Sequence, residues 1–358
     1  MHTRTCIKRM SVLVLALGMI LGAGASASAL VDPLRTPSPG HGGMGHGVPF
    51  APSIQAMAIT PDEVVYAGSF GMGVFRSSDK GQSWTMINHG LTDLFVLCLA
   101  VHPNGDVYAG TVRGGVYRLV HGTTAWESIK TGLKRVEVKS LLIGDRGIYA
   151  GTGRGVYRWD EADHQWTMVH QALDQFLIPS MAMLNDRILL AATAGKGLFT
   201  VDTVDTKQST WLRGSSGLVD PKERLPHRYL RIVVVNERQQ IFLGTQDGGL
   251  FMSTDEGRSW HPISRTLPND SIRGIVSQDS ALYVATGLGV YVLGREDRRW
   301  QPINSGLTEL SIQTFVMSPA GVLYVGTSQG AFRSDDNGKH WVNVSEGFGL
   351  HTYQPRPY

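Results

Sequence analysis

Hydrolytic chemistry on this chain would have to come from its acidic residues. Cleaving a glycosidic bond takes two facing carboxyl groups, about 5 Å apart in a retaining enzyme and about 6.5 to 9.5 Å apart in an inverting one. The acid pairs Asp62-Glu63, Asp160-Glu161 and Glu296-Asp297 stand in short polar stretches, where carboxylates ordinarily face water. The sequence has no His-Glu-x-x-His, no Cys-x-x-Cys and no nucleophile elbow leading into a helix. His41 and His46 lie in a glycine-rich run, a weak basis for a metal site, and no metal or other cofactor is expected. Cys98 sits inside the apolar run Phe95 to Val101 and reads as a buried, inert thiol. Catalytic residues are therefore expected to be absent.

The elements that position these residues follow from a repeat. Trp84, Trp126, Trp166, Trp211, Trp260, Trp300 and Trp341 recur at intervals of 40 to 49 residues. Ahead of each comes a short apolar run, then a strand with a small-residue step such as Tyr66-Ala67-Gly68 or Tyr324-Val325-Gly326-Thr327. A glycine-rich turn and an aromatic-tipped strand follow. Units of about forty residues with four short strands cannot bury their own apolar faces and must stack. Radial stacking does so while leaving only short edges for water. The expected fold class is all-β, a single seven-bladed β-propeller of four-stranded antiparallel blades over residues 54–345. Blade one is expected to pack directly on blade seven, and either the preceding segment or the tail could reinforce that seam.

Three blades carry a sharper pattern between their third and fourth strands: Ser77-Ser78-Asp79-Lys80-Gly81-Gln82-Ser83-Trp84, Ser253-Thr254-Asp255-Glu256-Gly257-Arg258-Ser259-Trp260 and Ser334-Asp335-Asp336-Asn337-Gly338-Lys339-His340-Trp341. Short polar side chains can bond turn amides, glycine accepts a positive φ, and tryptophan anchors the hairpin. The pattern resembles the Asp box of bacterial-neuraminidase-type repeats. That superfamily includes sialidases, cell-wall glucanases, sortilin-like receptors and the photosystem II stability and assembly factor, and this single-propeller chain looks most like the last. The resemblance implies that Asp79, Gly81, Trp84, Asp255, Gly257, Trp260, Asp336, Gly338 and Trp341 are structural. It does not extend to the sialidase site, because the arginine triad and the early Arg-Ile-Pro motif are missing. Arg228-Tyr229-Leu230-Arg231-Ile232 is only a superficial echo of that motif.

Residues 1–29 read as a secretory signal peptide. Arg4, Lys8 and Arg9 precede the apolar run Ser11 to Leu21, and small residues surround cleavage sites near Ala27 and Ala29. That run is shorter than the roughly 20 residues a membrane-spanning helix needs. Residues 30–53 form a Pro/Gly-rich tether and 346–358 a C-terminal tail. The protein is expected to be exported, periplasmic or extracellular, with no transmembrane segment after cleavage. The whole chain has 33 basic and 30 acidic residues, and three basic ones leave with the signal. The mature chain is thus formally neutral, so nucleic acid is not an expected partner.

In a propeller, the turns between second and third strands share a face with the loops that enter each inner strand. On that face Phe95, Arg113, Lys134, Arg135, Arg154, Phe176, Lys196, Arg224, Arg228 and Tyr229 gather over blades two to five. Arginine forks and aromatic area suit a partner surface, so these residues form the candidate docking set. Aligning the inner strands places Gln55, Leu97, Glu137, Pro179, Arg231, Arg273 and Gln313 at one level, with Glu137, Arg231 and Arg273 at the channel mouth. The functional expectation is an exported, monomeric, non-catalytic interaction or assembly propeller with a protein partner. The alternative is a glycan-binding or glycoside-hydrolase-like propeller.

Overall fold

A computed structural model of the chain describes residues 51–133, 136–205, 210–211, 229–278, 281–294 and 299–349. It contains seven four-stranded antiparallel sheets, each paired in sequence order from inner to outer strand. The inner strands are Ile54–Ile59, Val96–Val101, Val138–Gly144, Ser180–Leu184, Leu230–Val235, Ile272–Gln278 and Ile312–Met317. Each packs on the next, and the seventh packs on the first, so the ring closes without a blade shared between the chain ends. Residues 1–50, which hold the expected signal segment, most of the expected tether, His41 and His46, lie outside the described residues.

The small-residue step of each second strand marks where the neighbouring blade presses in. A β-carbon on Gly68 would lie 2.6 Å from Val96 Cγ1, one on Gly110 2.6 Å from Val138 Cγ1, and one on Gly244 2.5 Å from Ile272 Cγ2. At the closure, a β-carbon on Gly326 of blade seven would lie 2.7 Å from Ile54 Cγ2 of blade one. Inner strands covered on both sides lose the polar alternation of a one-sided sheet. Accordingly Ile54–Ile59 and Val96–Val101 are buried at every position. Cys98 is part of this packing, its burial pushing the thiol pKa well up.

Both flanking segments reinforce the seam. The amide of Gly330 in blade seven donates to Pro52 O and that of Phe70 in blade one to Ser53 O. On the outside, Phe348 is buried with its ring centroid 5.0 Å from Phe75 and 4.6 Å from Trp84. Residues 346–349, assigned to the tail from sequence, are thus the step from blade seven onto blade one. Elsewhere Leu91 fills the matching place under the tryptophan of the next blade. Phe348→Ala should lower the unfolding free energy by about 3 to 5 kcal/mol, the usual cost of deleting a buried phenyl ring. Urea denaturation checks this, and an unchanged midpoint would show that the seam does not depend on the ring.

Candidate functional site: the loop face and channel mouth

The three Ser-x-Asp turns form one hydrogen-bonding device, on the face away from the entry loops. Ser253 Oγ donates to Asp255 Oδ1 at 2.8 Å and accepts from the Gly257 amide at 2.8 Å. Asp255 then accepts from the Ser259 amide at 2.9 Å and from Ser259 Oγ at 2.6 Å. The Asp79 turn repeats this with Ser77, Gly81 and Ser83, and the Asp336 turn uses Ser334, Gly338 and His340. Positive φ falls on two successive residues in each, namely Lys80 and Gly81, Glu256 and Gly257, and Asn337 and Gly338. The hydroxyl of Ser83 holds the Asp79 pKa down to about 2, and that of Ser259 does the same for Asp255. The amide of His340 leads the lowering at Asp336.

The tryptophans tie blades together. Trp84 Nε1 donates across the seam to Val344 O at 2.7 Å. Trp126, Trp300 and Trp341 donate likewise to Ile87, Ile263 and Ile303 of the preceding blade. Trp260 instead donates to Gly257 O within its own turn, at 3.1 Å.

Acids of the doublets in the described residues accept hydrogen bonds that hold the scaffold. Glu63 Oε1 accepts from the Ala320 amide, Asp160 Oδ1 caps the amides of Ala162 and Asp163, and Glu161 Oε2 accepts from Trp159 Nε1. Glu296 and Asp297 lie outside the described residues. Among the described residues, no group of three or more His, Cys, Asp or Glu side chains is arranged to hold a metal ion.

On the opposite, loop-bearing face the side chains are differently disposed. Phe70 and Phe95 are exposed and meet edge to face, with centroids 4.9 Å apart and planes at 75°. Each ring sits at a bridge joining a turn of one blade to the entry loop of the next, and Ala194 pairs with exposed Tyr229 in the same way. Gly71 and Gly195 stand beside Phe95 and Tyr229 with φ of +111° and +95°, a conformation that favours glycine. Leu288 and Leu310 are exposed on this face too. Between the two aromatic stations stand exposed Arg113, Arg154 and Lys196. Asp93 Oδ2 accepts from the amides of Arg113 and Gly114 at 2.6 and 2.9 Å, fixing that turn, while Arg154 Nε lies 3.8 Å from Asp174. Phe176 departs from the expected docking set: it is partly buried against the core of blades three and four and adds little outward area. Lys134, Arg135, Arg224 and Arg228 lie outside the described residues.

The inner strands of six blades open with a β-bulge, whose extra residues are Gln55, Leu97, Lys139, Arg231, Arg273 and Gln313. The bulge re-aims the extra side chain. In blade three this residue is Lys139, so the alignment that put Glu137 level with Arg231 and Arg273 is two residues out. The Gly153 amide donates to Glu137 O as the Val112 and Gln246 amides donate to Phe95 O and Tyr229 O, which places Glu137 at the outer rim position. The alternation Val136-Glu137-Val138-Lys139 fits either register by pattern alone. The deciding signal is Val138 opposite Thr152 at the end of the second strand, as Val96 stands opposite Thr111. Glu137 and Lys139 form an ion pair at 3.0 Å.

No family model matches the chain, and no curated protein matches it in sequence. Solved structures do resemble it. The extracellular domain of a hybrid two-component system from B. thetaiotaomicron has a TM-score of 0.64 at 15% identity, covering 82% of this chain and 40% of that one. A GH74 enzyme from Niastella koreensis has a TM-score of 0.62 at 12% identity, covering 85% and 55%. The WD40 β-propeller domain of Doa1 has a TM-score of 0.61 at 13% identity, covering 82% and 97%. This chain thus spans about half or less of the first two. Identity this low shows a shared fold alone, and the chain belongs to the class of seven-bladed β-propellers, a scaffold compatible with binding proteins or smaller ligands. Among the described residues no helix is long and apolar enough to cross a membrane.

The depressed pKa of Asp255 gives its turn a pH signature. An aspartate ionises near 3.8 when unperturbed and at about 2 in this turn. Its contribution to stability is therefore complete above the higher value and lost as pH falls towards the lower one. Asp255→Ala should lower the melting temperature near neutrality, and the gap from wild type should shrink as pH falls from about 4 to about 2. Thermal melts across that range test this, and a gap independent of pH would contradict it.

Proposed function

We propose that this chain is an exported, non-catalytic interaction propeller that captures a partner protein on its loop face over blades two to five. The observation that carries the reading is the distribution of exposed aromatic side chains among the described residues. Phe70 with Phe95, and Tyr229, flank Arg113, Arg154 and Lys196 on the one face where turns and entry loops meet. Aromatic rings supply contact area at small entropic cost, and arginines supply forked hydrogen bonds, so a protein surface with acidic and aromatic groups is complementary. The edge-to-face Phe70 and Phe95 rings favour this over a glycan, for which a flat stacking platform would be the better complement. The Ser-x-Asp turns support kinship with Asp-box propellers used in assembly.

Cross-linking in the native compartment, followed by binding measurements with the captured partner, tests the proposal. Arg113→Glu with Arg154→Glu should abolish capture, and Phe95→Ala should raise Kd about thirtyfold, as loss of a central contact does. Unchanged capture by the charge reversal would refute the docking face, and competition by oligosaccharides would favour the glycan reading. Export predicts a mature chain that begins after Ala27 or Ala29. N-terminal sequencing of the protein from the periplasm or medium reads this directly, and a chain retaining Met1 would exclude cleavage.

A further inference from the structure

Two guanidinium groups stand close enough at the channel mouth to feel each other's charge, and neither has an acidic partner among the described residues. Arg231 and Arg273 fill the bulges of blades five and six. Arg231 Nη1 donates to Ser271 Oγ at 3.2 Å, and Arg273 Nη1 donates to Ile312 O at 3.0 Å and Gln313 Oε1 at 3.3 Å. Every one of these acceptors is neutral. Arg273 Nε is sealed from solvent and has no hydrogen-bond partner. Among the described residues no ion pair joins a carboxylate to either guanidinium; on the same face Glu137 holds Lys139, and Glu309 accepts from the Ser311 amide and from Gln329 Nε2. The Lys139 and Glu137 charges cancel, so among the described residues Arg231 and Arg273 leave this level of the channel with two uncompensated positive charges.

Closing the propeller does not require them. The same bulge carries Gln55, Leu97 and Gln313 in other blades, with no charge at all. Holding two like charges in a partly desolvated place is unfavourable unless an opposite charge joins them. Burial and the field of Arg273 lower the Arg231 pKa to about 10, which still leaves the guanidinium charged at neutral pH. Each guanidinium presents five N–H donors in a planar fork matched to oxyanions, and the bonds to Ser271, Ile312 and Gln313 use only part of that supply.

We propose that the mouth of the central channel is a binding site for a small doubly charged oxyanion, a dicarboxylate or a phosphate, bridged between Arg231 and Arg273. A charge of two neutralises both guanidinium groups, and each retains an Nη2 group that no described acceptor engages. The site is separate from the partner-docking stations, since it sits on the inner strands, whereas Phe95, Arg113 and Tyr229 sit on the surrounding loops. The inference therefore stands or falls apart from the docking face.

Titration calorimetry of the mature protein with inorganic phosphate and, separately, with succinate at matched ionic strength is the test. At least one should bind saturably with one site per chain, and the two arms tell which oxyanion class is preferred. Arg231→Gln and Arg273→Gln should each weaken that binding by tenfold or more. Melts in chloride alone provide the second measurement: Arg273→Gln should unfold at the same temperature as wild type or higher, because it removes an uncompensated charge. Absence of saturable binding by both probes would overturn the proposal. So would Arg231→Gln and Arg273→Gln variants that bind like wild type, or an Arg273→Gln variant that is less stable in chloride.

Discussion

Blades of this propeller press a branched aliphatic side chain from the head of the inner strand onto the preceding blade's backbone, and at five joints the residue beneath is a glycine with no room for a side chain. Val96 meets Gly68, Val138 meets Gly110, Ile178 meets Gly151, Ile272 meets Gly244, and Ile54 meets Gly326 where the ring closes. Packing at interior density leaves no slack at such contacts. The spacing of blades, and with it the position of every strand head around the channel, is set there. The indole bonds from Trp84, Trp126, Trp300 and Trp341 to the preceding blade repeat the constraint at the outer edge.

The two faces then divide their work. On one, the Ser-x-Asp turns gather amides around a carboxylate, and the acids that would attract a search for catalysis are engaged in holding hairpins. On the other, the short turns and entry loops are joined by isolated bridges that lift Phe95 and Tyr229 into solvent beside glycines. Among the described residues the exposed rings Phe70, Phe95 and Tyr229 all fall on the loop face, with cations between, and this gives that face its character.

The bulge at six of the seven strand heads links scaffold to chemistry. Pairing needs an extra residue there but does not specify its side chain, so glutamine, leucine, lysine and arginine all occupy the position in different blades. A repeated backbone irregularity thereby presents a ring of independently variable side chains to the channel. Function on a common fold is written in such places.

Much of this was legible in the residues themselves. Seven tryptophans at a forty-residue interval specify the blade number, because a four-stranded unit of that length can bury its faces only against copies of itself. Ser253, Asp255 and Gly257 announce their turn because its hydrogen bonds join residues within a few positions of one another. What lies on the axis was not legible in that way. Lys139 and Glu137 differ by two positions in an alternating strand, a shift that preserves the hydrophobic pattern, and only pairing of Val138 with Thr152 places the lysine in the channel. Phe348 likewise reads as part of the C-terminal tail, until closure brings blade one beneath it. Local turns and repeat number follow from short-range chemistry written in the sequence. The proximity of Arg231 to Arg273, the exposure of Phe95 and the burial of Phe176 were decided by the tertiary structure, because each depends on a neighbouring blade some forty residues away along the chain.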